Sequence, residues 1–246
     1  MNPIYKPKGR AAEYGDYAIN IYTGCPHRCY YCFAPNVLRR DREKFHSHVE
    51  PRPEIVDAVK RQLEKEKITG QLIHLCFTCD PYPRGYDTTV TREIIKAIKE
   101  SGNYVQILTK GDGSRDFDLL DGSDWYGVTY AGYQNLASNI SPDEPGSLSP
   151  AHRLNVLKQA RQSGIKTWVS CEPVLDAGDV LWLLQRTDYI NLYKIGKLNY
   201  HPSDINWAEF GREAERICIE RGLDYTIKDD LRREMEKDGD KENKNE

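Results

Sequence analysis

The chain has 246 residues, of which 39% are hydrophobic and 10% aromatic, and a formal net charge of −3. That hydrophobic share supports a real core and excludes a disordered chain, and the near-neutral balance excludes a global field that would attract nucleic acid. Seven cysteines, three of them between positions 25 and 32, point to metal binding in a reducing compartment rather than to a secreted disulfide framework.

No apolar run approaches the length of a membrane span, so a cytoplasmic protein without a membrane partner is expected. Tyr17 to Tyr22 reads as a first strand closed by Thr23-Gly24, and the cysteine loop follows at once. Basic residues gather around it, among them Arg39, Arg40 and Arg42; they read either as a local nucleic-acid surface or as ordinary solvated side chains. Ile55, Val56, Val59 and Leu63 have helical spacing, with Pro53 suited to the first turn. Strands are expected at Leu72 to Phe77, Tyr104 to Leu108 and Trp125 to Tyr130, with a helix at Ile94, Ile95 and Ile98 that Gly102 ends.

The segment Gly132 to Ser149 reads as a lid or a long surface loop. Ser149-Pro150 caps a helix through Leu154, Leu157 and Ala160. Ile165 to Ser170 is the next strand, followed by a short helix at Val180 to Leu184 and a strand at Tyr189 to Ile195. Ser203 is the expected cap of a helix carrying Trp207, Phe210, Ala214 and Ile217, and Leu223 to Ile227 suits a last strand. Residues 1–16 read as an N-terminal extension, and 229–246 as a polar, frayed tail.

Strand and helix alternate about six times without a linker, which implies one α/β domain with parallel strands and right-handed crossovers. A barrel competes with an open doubly wound sheet, and the missing G-x-G-x-x-G after the first strand disfavours the latter. Polar or reactive residues follow the strand ends: Cys25, Thr78 and Asp80, Thr109 and Lys110, Thr129, Cys171 and Glu172, and Lys194. In a parallel barrel these converge on one face.

Cys25, Cys29 and Cys32 form C-x3-C-x2-C. Three thiolates on a short loop suit an iron–sulfur cluster with one iron left open. Zinc completed by His27, His46 or His48 remains an alternative, as do a cluster completed by Cys76, Cys79 or Cys171 and unmetallated structural thiols.

The segment from Asn20 to Pro35 resembles the cluster loop of radical S-adenosylmethionine enzymes, in which an aromatic residue precedes the third cysteine, here Tyr31. Phe77-Thr-Cys-Asp-Pro-Tyr82, Ile107-Leu-Thr-Lys110, Arg115-Asp116 and Cys171-Glu-Pro-Val174 are similar in order to motifs of spore photoproduct lyase and the related DNA repair photolyases, so that the resemblance spans about Tyr17 to Ile195. It implies a partial (β/α)6 barrel of TIM type over residues 17–228, with a [4Fe-4S] cluster on the three cysteines. The implied activity is reductive cleavage of S-adenosylmethionine to a 5′-deoxyadenosyl radical that takes hydrogen from a substrate, with electrons from a flavodoxin- or ferredoxin-type donor. Tyr31 would lie against adenine; Thr78, Asp80, Lys110, Thr129 and Glu172 would bind the cofactor or substrate. Glu172 pairing with Lys194 is the competing assignment.

Cys79 and Cys171 are the hydrogen donors that the resemblance suggests, against inert buried thiols. DNA or RNA is the first substrate class, a peptide or small metabolite the second, and a non-catalytic zinc or iron–sulfur module the third reading. Two departures weaken thymine-dimer repair itself. Phe33 stands where the lyase has a relay tyrosine and carries no O–H, and Cys76 and Cys79 straddle the position of the lyase's strand-two cysteine.

Overall fold

Seven strands lie parallel in one sheet, in chain order from β1 to β7: Tyr17–Ile19, Leu72–Leu75, Tyr104–Thr109, Trp125–Thr129, Lys166–Cys171, Leu192–Ile195 and Tyr225–Ile227. The computed structural model describes residues 2–132 and 142–242, with backbone alone for 238–242. β1 and β7 are edges, so the barrel is partial, and β7 falls within the last strand expected from Leu223 to Ile227. The exposed side of β1 is covered by the N-terminal segment, where Tyr5 and Ala18 exchange backbone hydrogen bonds of 3.0 and 2.9 Å. Covering an edge in this way blocks pairing with another chain.

Eight α-helices are described: α1 Ala34–Val37, α2 Arg42–Ser47, α3 Ile55–Glu66, α4 Thr89–Glu100, α5 Pro150–Gln162, α6 Ala177–Arg186, α7 Trp207–Arg221 and α8 Asp229–Glu242. α3 to α7 bury one stripe each against the sheet, for example Ile94, Ile95 and Ile98 of α4 and Val180, Leu183 and Leu184 of α6. The crossover from β3 to β4 is instead a 3-10 helix, Ser114–Leu119. Its Asp116 is buried, with Arg92, Arg115 and the Tyr82 hydroxyl all donating to the carboxylate.

Several boundaries differ from the sequence expectation. β1 and β2 stop at Ile19 and Leu75, because the chain turns there to deliver the two site loops. Pro53 lies in the turn before α3. Ser149 caps α5 as expected, but α7 is capped by Asn206, whose side chain accepts from the Glu209 amide. The polar tail is helical to Glu242 and docked: Leu231 is fully buried and Met235 packs on the core. Half of the expected lid, residues 133–141, lies outside the described residues.

Candidate active site

The cysteine loop is held by backbone contacts that its composition dictates. Gly24 passes so close to α2 that a Cβ there would stand 2.3 Å from the Phe45 carbonyl oxygen. The Cys25 amide donates to that carbonyl (3.3 Å), and His46 Nδ1 contacts the Cys25 carbonyl at 2.8 Å. Arg42 donates to the carbonyls of Cys29, Tyr30 and Cys32, and Arg40 to that of Thr23. These two arginines of the basic segment therefore brace the loop while their side chains stay exposed. On the other side, Gly146 donates to the His27 carbonyl at 3.0 Å, and a Cβ on it would lie 2.1 Å from the Pro26 oxygen.

Burial raises all three thiol pKa values, that of Cys29 to about 12. Thiolates in such a place call for a bound cation. Among the described residues, no three His, Cys, Asp or Glu side chains group as ligands of a single ion. The zinc alternative needs such convergence; a cubane cluster does not, because each thiolate takes its own iron. His27 is turned to Asp80, with Nδ1 3.4 Å from Oδ2, and His48 is exposed. The donor set of three free cysteines on a braced loop fits an iron–sulfur cluster.

Beside this loop, a cavity of about 560 Å³ opens at the carboxyl ends of the strands. Tyr31, Thr78, Asp80, Lys110, Thr129 and Glu172 all line it, so every residue expected to bind the cofactor meets in one space, together with Cys79. Thr78 Oγ1 is buried there without a protein partner, a hydroxyl available to a ligand. Lys110 Nζ lies 5.6 Å from the centre of the Tyr31 ring. Burial depresses its pKa, but the charges of Cys29, Glu144 and Asp80 outweigh that and keep it cationic.

Asp80 differs from the expectation. Oδ1 accepts from the Tyr82 amide (2.8 Å) and the Thr109 hydroxyl (2.5 Å), and Oδ2 from the Lys110 amide (2.8 Å). It ties the β2 loop to the end of β3, which positions Lys110 rather than presenting a free carboxylate. Cys171 is fully buried and off the cavity wall. Its neighbour Ser170 takes the inward face, so alternation along β5 turns Cys171 toward Cys218 of α7. A hydrogen-donor role for Cys171 is therefore not supported. Glu172 pairs with Lys228, not Lys194, and also accepts from Tyr14 Oη (3.2 Å). Lys194 instead donates to the Glu13 carbonyl and lies over the Tyr14 and Trp168 rings.

Three features escaped the sequence. Tyr14, from the N-terminal segment, enters the barrel mouth against His74, Phe77 and Trp168. Lys228, just after β7, reaches the same hydroxyl at 3.1 Å. Glu144 is buried beneath Tyr31, accepting from its hydroxyl and from the fully buried Arg153. No local pattern marks these residues.

A sequence model described as the radical SAM superfamily matches residues 19–176. An uncharacterized protein of Methanocaldococcus jannaschii is 32% identical over 195 residues, 76% of this chain and 72% of its own length. An uncharacterized protein of Acidianus two-tailed virus is 28% identical, over 72% of this chain and 65% of that one. Spore photoproduct lyase complexed with dinucleoside spore photoproduct superposes with a TM-score of 0.63 at 14% identity, over 88% of this chain and 64% of the lyase. Streptococcus suis SuiB bound to S-adenosylmethionine gives 0.60 at 13% identity, over 85% of this chain and 49% of SuiB. The chain thus spans under two thirds of the lyase and about half of SuiB, and at these identities the likeness concerns the fold.

Proposed function

Since this chain belongs to the radical SAM superfamily and is a radical SAM enzyme, we propose that Cys25, Cys29 and Cys32 hold a [4Fe-4S] cluster beside a cavity that binds S-adenosylmethionine. When bound, the cluster supplies the electron that cleaves S-adenosylmethionine to a 5′-deoxyadenosyl radical, and the chain's own residues bind and orient the reactants. The observation that carries this reading is the meeting of Tyr31, Thr78, Lys110, Thr129 and Glu172 in one cavity next to the cysteine loop.

Lys110 is the cation for the cofactor's carboxylate. The free hydroxyl of Thr78 suits its amino group or ribose. Asp80 acts on Lys110 through the backbone, and Glu144 with Arg153 fixes Tyr31 by hydrogen bonding. Tyr14 and Glu172, locked by Lys228, form the opposite wall and keep water from the reacting centre. Cys79 is the thiol placed to return a hydrogen atom, since it alone of the two candidates lines the cavity.

For the substrate, we read a nucleic acid as the first class. Phe33 and Tyr200 are exposed on the cavity wall, Tyr200 at 80%, with the Arg10 guanidinium 4.9 Å from its ring centre. Exposed rings interleaved with cations stack bases and hold phosphates. The neighbouring lyase is complexed with dinucleoside spore photoproduct and SuiB is bound to a precursor peptide, so the test includes both. Binding of the purified enzyme to single-stranded DNA or RNA at low salt, weakening steeply as salt rises, is expected; no binding at low salt beside measurable peptide binding refutes the nucleic-acid reading. Iron and sulfide near four each per chain are expected of the anaerobic protein, whereas stoichiometric zinc refutes the cluster.

A further inference from the structure

We propose that Cys76 and Cys79 form a thiol–disulfide couple on the wall of the cavity, a second redox site apart from the cysteine loop. The two cysteines are spaced C-x-x-C immediately after β2, where the chain bends over residues 77–79. Both line the cavity, Cys76 buried and Cys79 half-exposed, and neither is in a disulfide. Their thiols hydrogen-bond each other, and the Tyr22 amide donates to Cys79 Sγ at 3.3 Å.

The surroundings make the two sulfurs unequal. Burial pushes both up, and Cys76 stays well above the ordinary thiol range. At Cys79, hydrogen bonds from the Cys76 thiol and from the backbone amides of Tyr22 and Ile21 outweigh burial and bring it below that range. A partly accessible, thiolate-prone sulfur beside a buried, protonated one is the arrangement of an attacking and a resolving cysteine.

The step balances with a small-molecule disulfide as oxidant. The Cys79 thiolate attacks one sulfur of that disulfide and expels the first thiolate. Cys76 then gives up its proton to the departing group and attacks Cys79 Sγ, expelling the second. One intramolecular S–S bond forms, one external S–S bond breaks, and two thiols leave carrying the two electrons and two protons. The reverse reaction with an external dithiol restores the pair. Oxidation removes both S–H hydrogens from the cavity, including the one assigned above to Cys79.

Both cysteines fall in the single tryptic peptide 68–84, which isolates the test. The anaerobic, cluster-loaded protein is exposed to hydroxyethyl disulfide, quenched in acid, alkylated with N-ethylmaleimide and digested. The expected peptide is two hydrogens lighter than its dithiol form and carries no maleimide; prior treatment with dithiothreitol gives a peptide with two maleimides. Cys76→Ser should trap Cys79 as a mixed disulfide with the reagent, and Cys79→Ser should leave Cys76 free to take maleimide. Two maleimides on the wild-type peptide after exposure overturn the proposal, as does a stable mixed disulfide in the wild type or undiminished oxidation of Cys76 in Cys79→Ser. The wild-type measurement stands even if a variant fails to fold. Iron content and 5′-deoxyadenosine, recorded on the same sample, report on the radical reading separately, so either can fail alone.

Discussion

Lys110 shows how one residue joins the two halves of the site. Its backbone amide is fixed by Asp80, and its ammonium group lies over Tyr31, within the field of Glu144. Removing the charge while keeping the stem should expose what it contributes. Lys110→Met is expected to weaken S-adenosylmethionine binding by about 10- to 100-fold, the worth of a charge-assisted hydrogen bond of roughly 1.5–3 kcal/mol, measured by equilibrium dialysis, with iron content unchanged. Replacing Cys25, Cys29 or Cys32 singly with Ala should instead remove most of the iron and the visible absorption. The residue scale was also the most legible in the sequence. Tyr31, Thr78, Lys110, Thr129 and Glu172 were picked out by their places after strands or in motifs, and the cavity unites them. Cys171 shares a strand end with Glu172, but alternation along β5 sends it to the other face.

The elements that matter most to the site are short ones. α2 has six residues, and it exists to give Arg42 and His46 to the cysteine loop. Arg42→Met should lose hydrogen bonds to three carbonyls, two of them on cysteines, and we expect faster loss of iron to a chelator, with the thermal midpoint of the sheet little changed. Arg42→Lys should restore part of the retention, since an ammonium can donate to carbonyls but lacks the planar fork. From the sequence, the same arginine was a member of a basic cluster with an open role, because a side chain's partner is set by the turn at Gly24, not by local composition. Strands and long helices, by contrast, were readable from periodicity and caps, as at Ser149-Pro150. Asn206 displaced Ser203 as the cap of α7 because the cap is decided by where the helix first meets the core, at Ala208 and Phe210.

At the scale of the molecule, the barrel is open between β1 and β7, and the N-terminal segment partly fills the mouth with Tyr14. Such placement depends on contacts far apart in sequence, which explains why residues 1–16 read only as an extension. The interior also carries a buried titratable ring, His74, hydrogen-bonded to Gln106 at 2.8 Å. Burial, with Lys194 nearby, lowers its pKa to about 4 from 6.5, against the Gln106 bond that raises it. Between those values the unfolded chain binds a proton that the folded one refuses, so stability falls as pH drops from 6.5 toward 4, by up to about 3 kcal/mol. Urea midpoints at pH 7 and pH 5 should show this loss, and His74→Asn should reduce it; an equal loss in that variant would place the acid sensitivity elsewhere. The central claim is that the cysteine loop and the cavity work as one reductive centre. Its most direct measurement is 5′-deoxyadenosine formed from S-adenosylmethionine by the anaerobic, reduced protein, followed by chromatography. The account predicts product from the wild type and none from Cys29→Ala; a colourless zinc protein that forms no 5′-deoxyadenosine after reconstitution with iron and sulfide would contradict it.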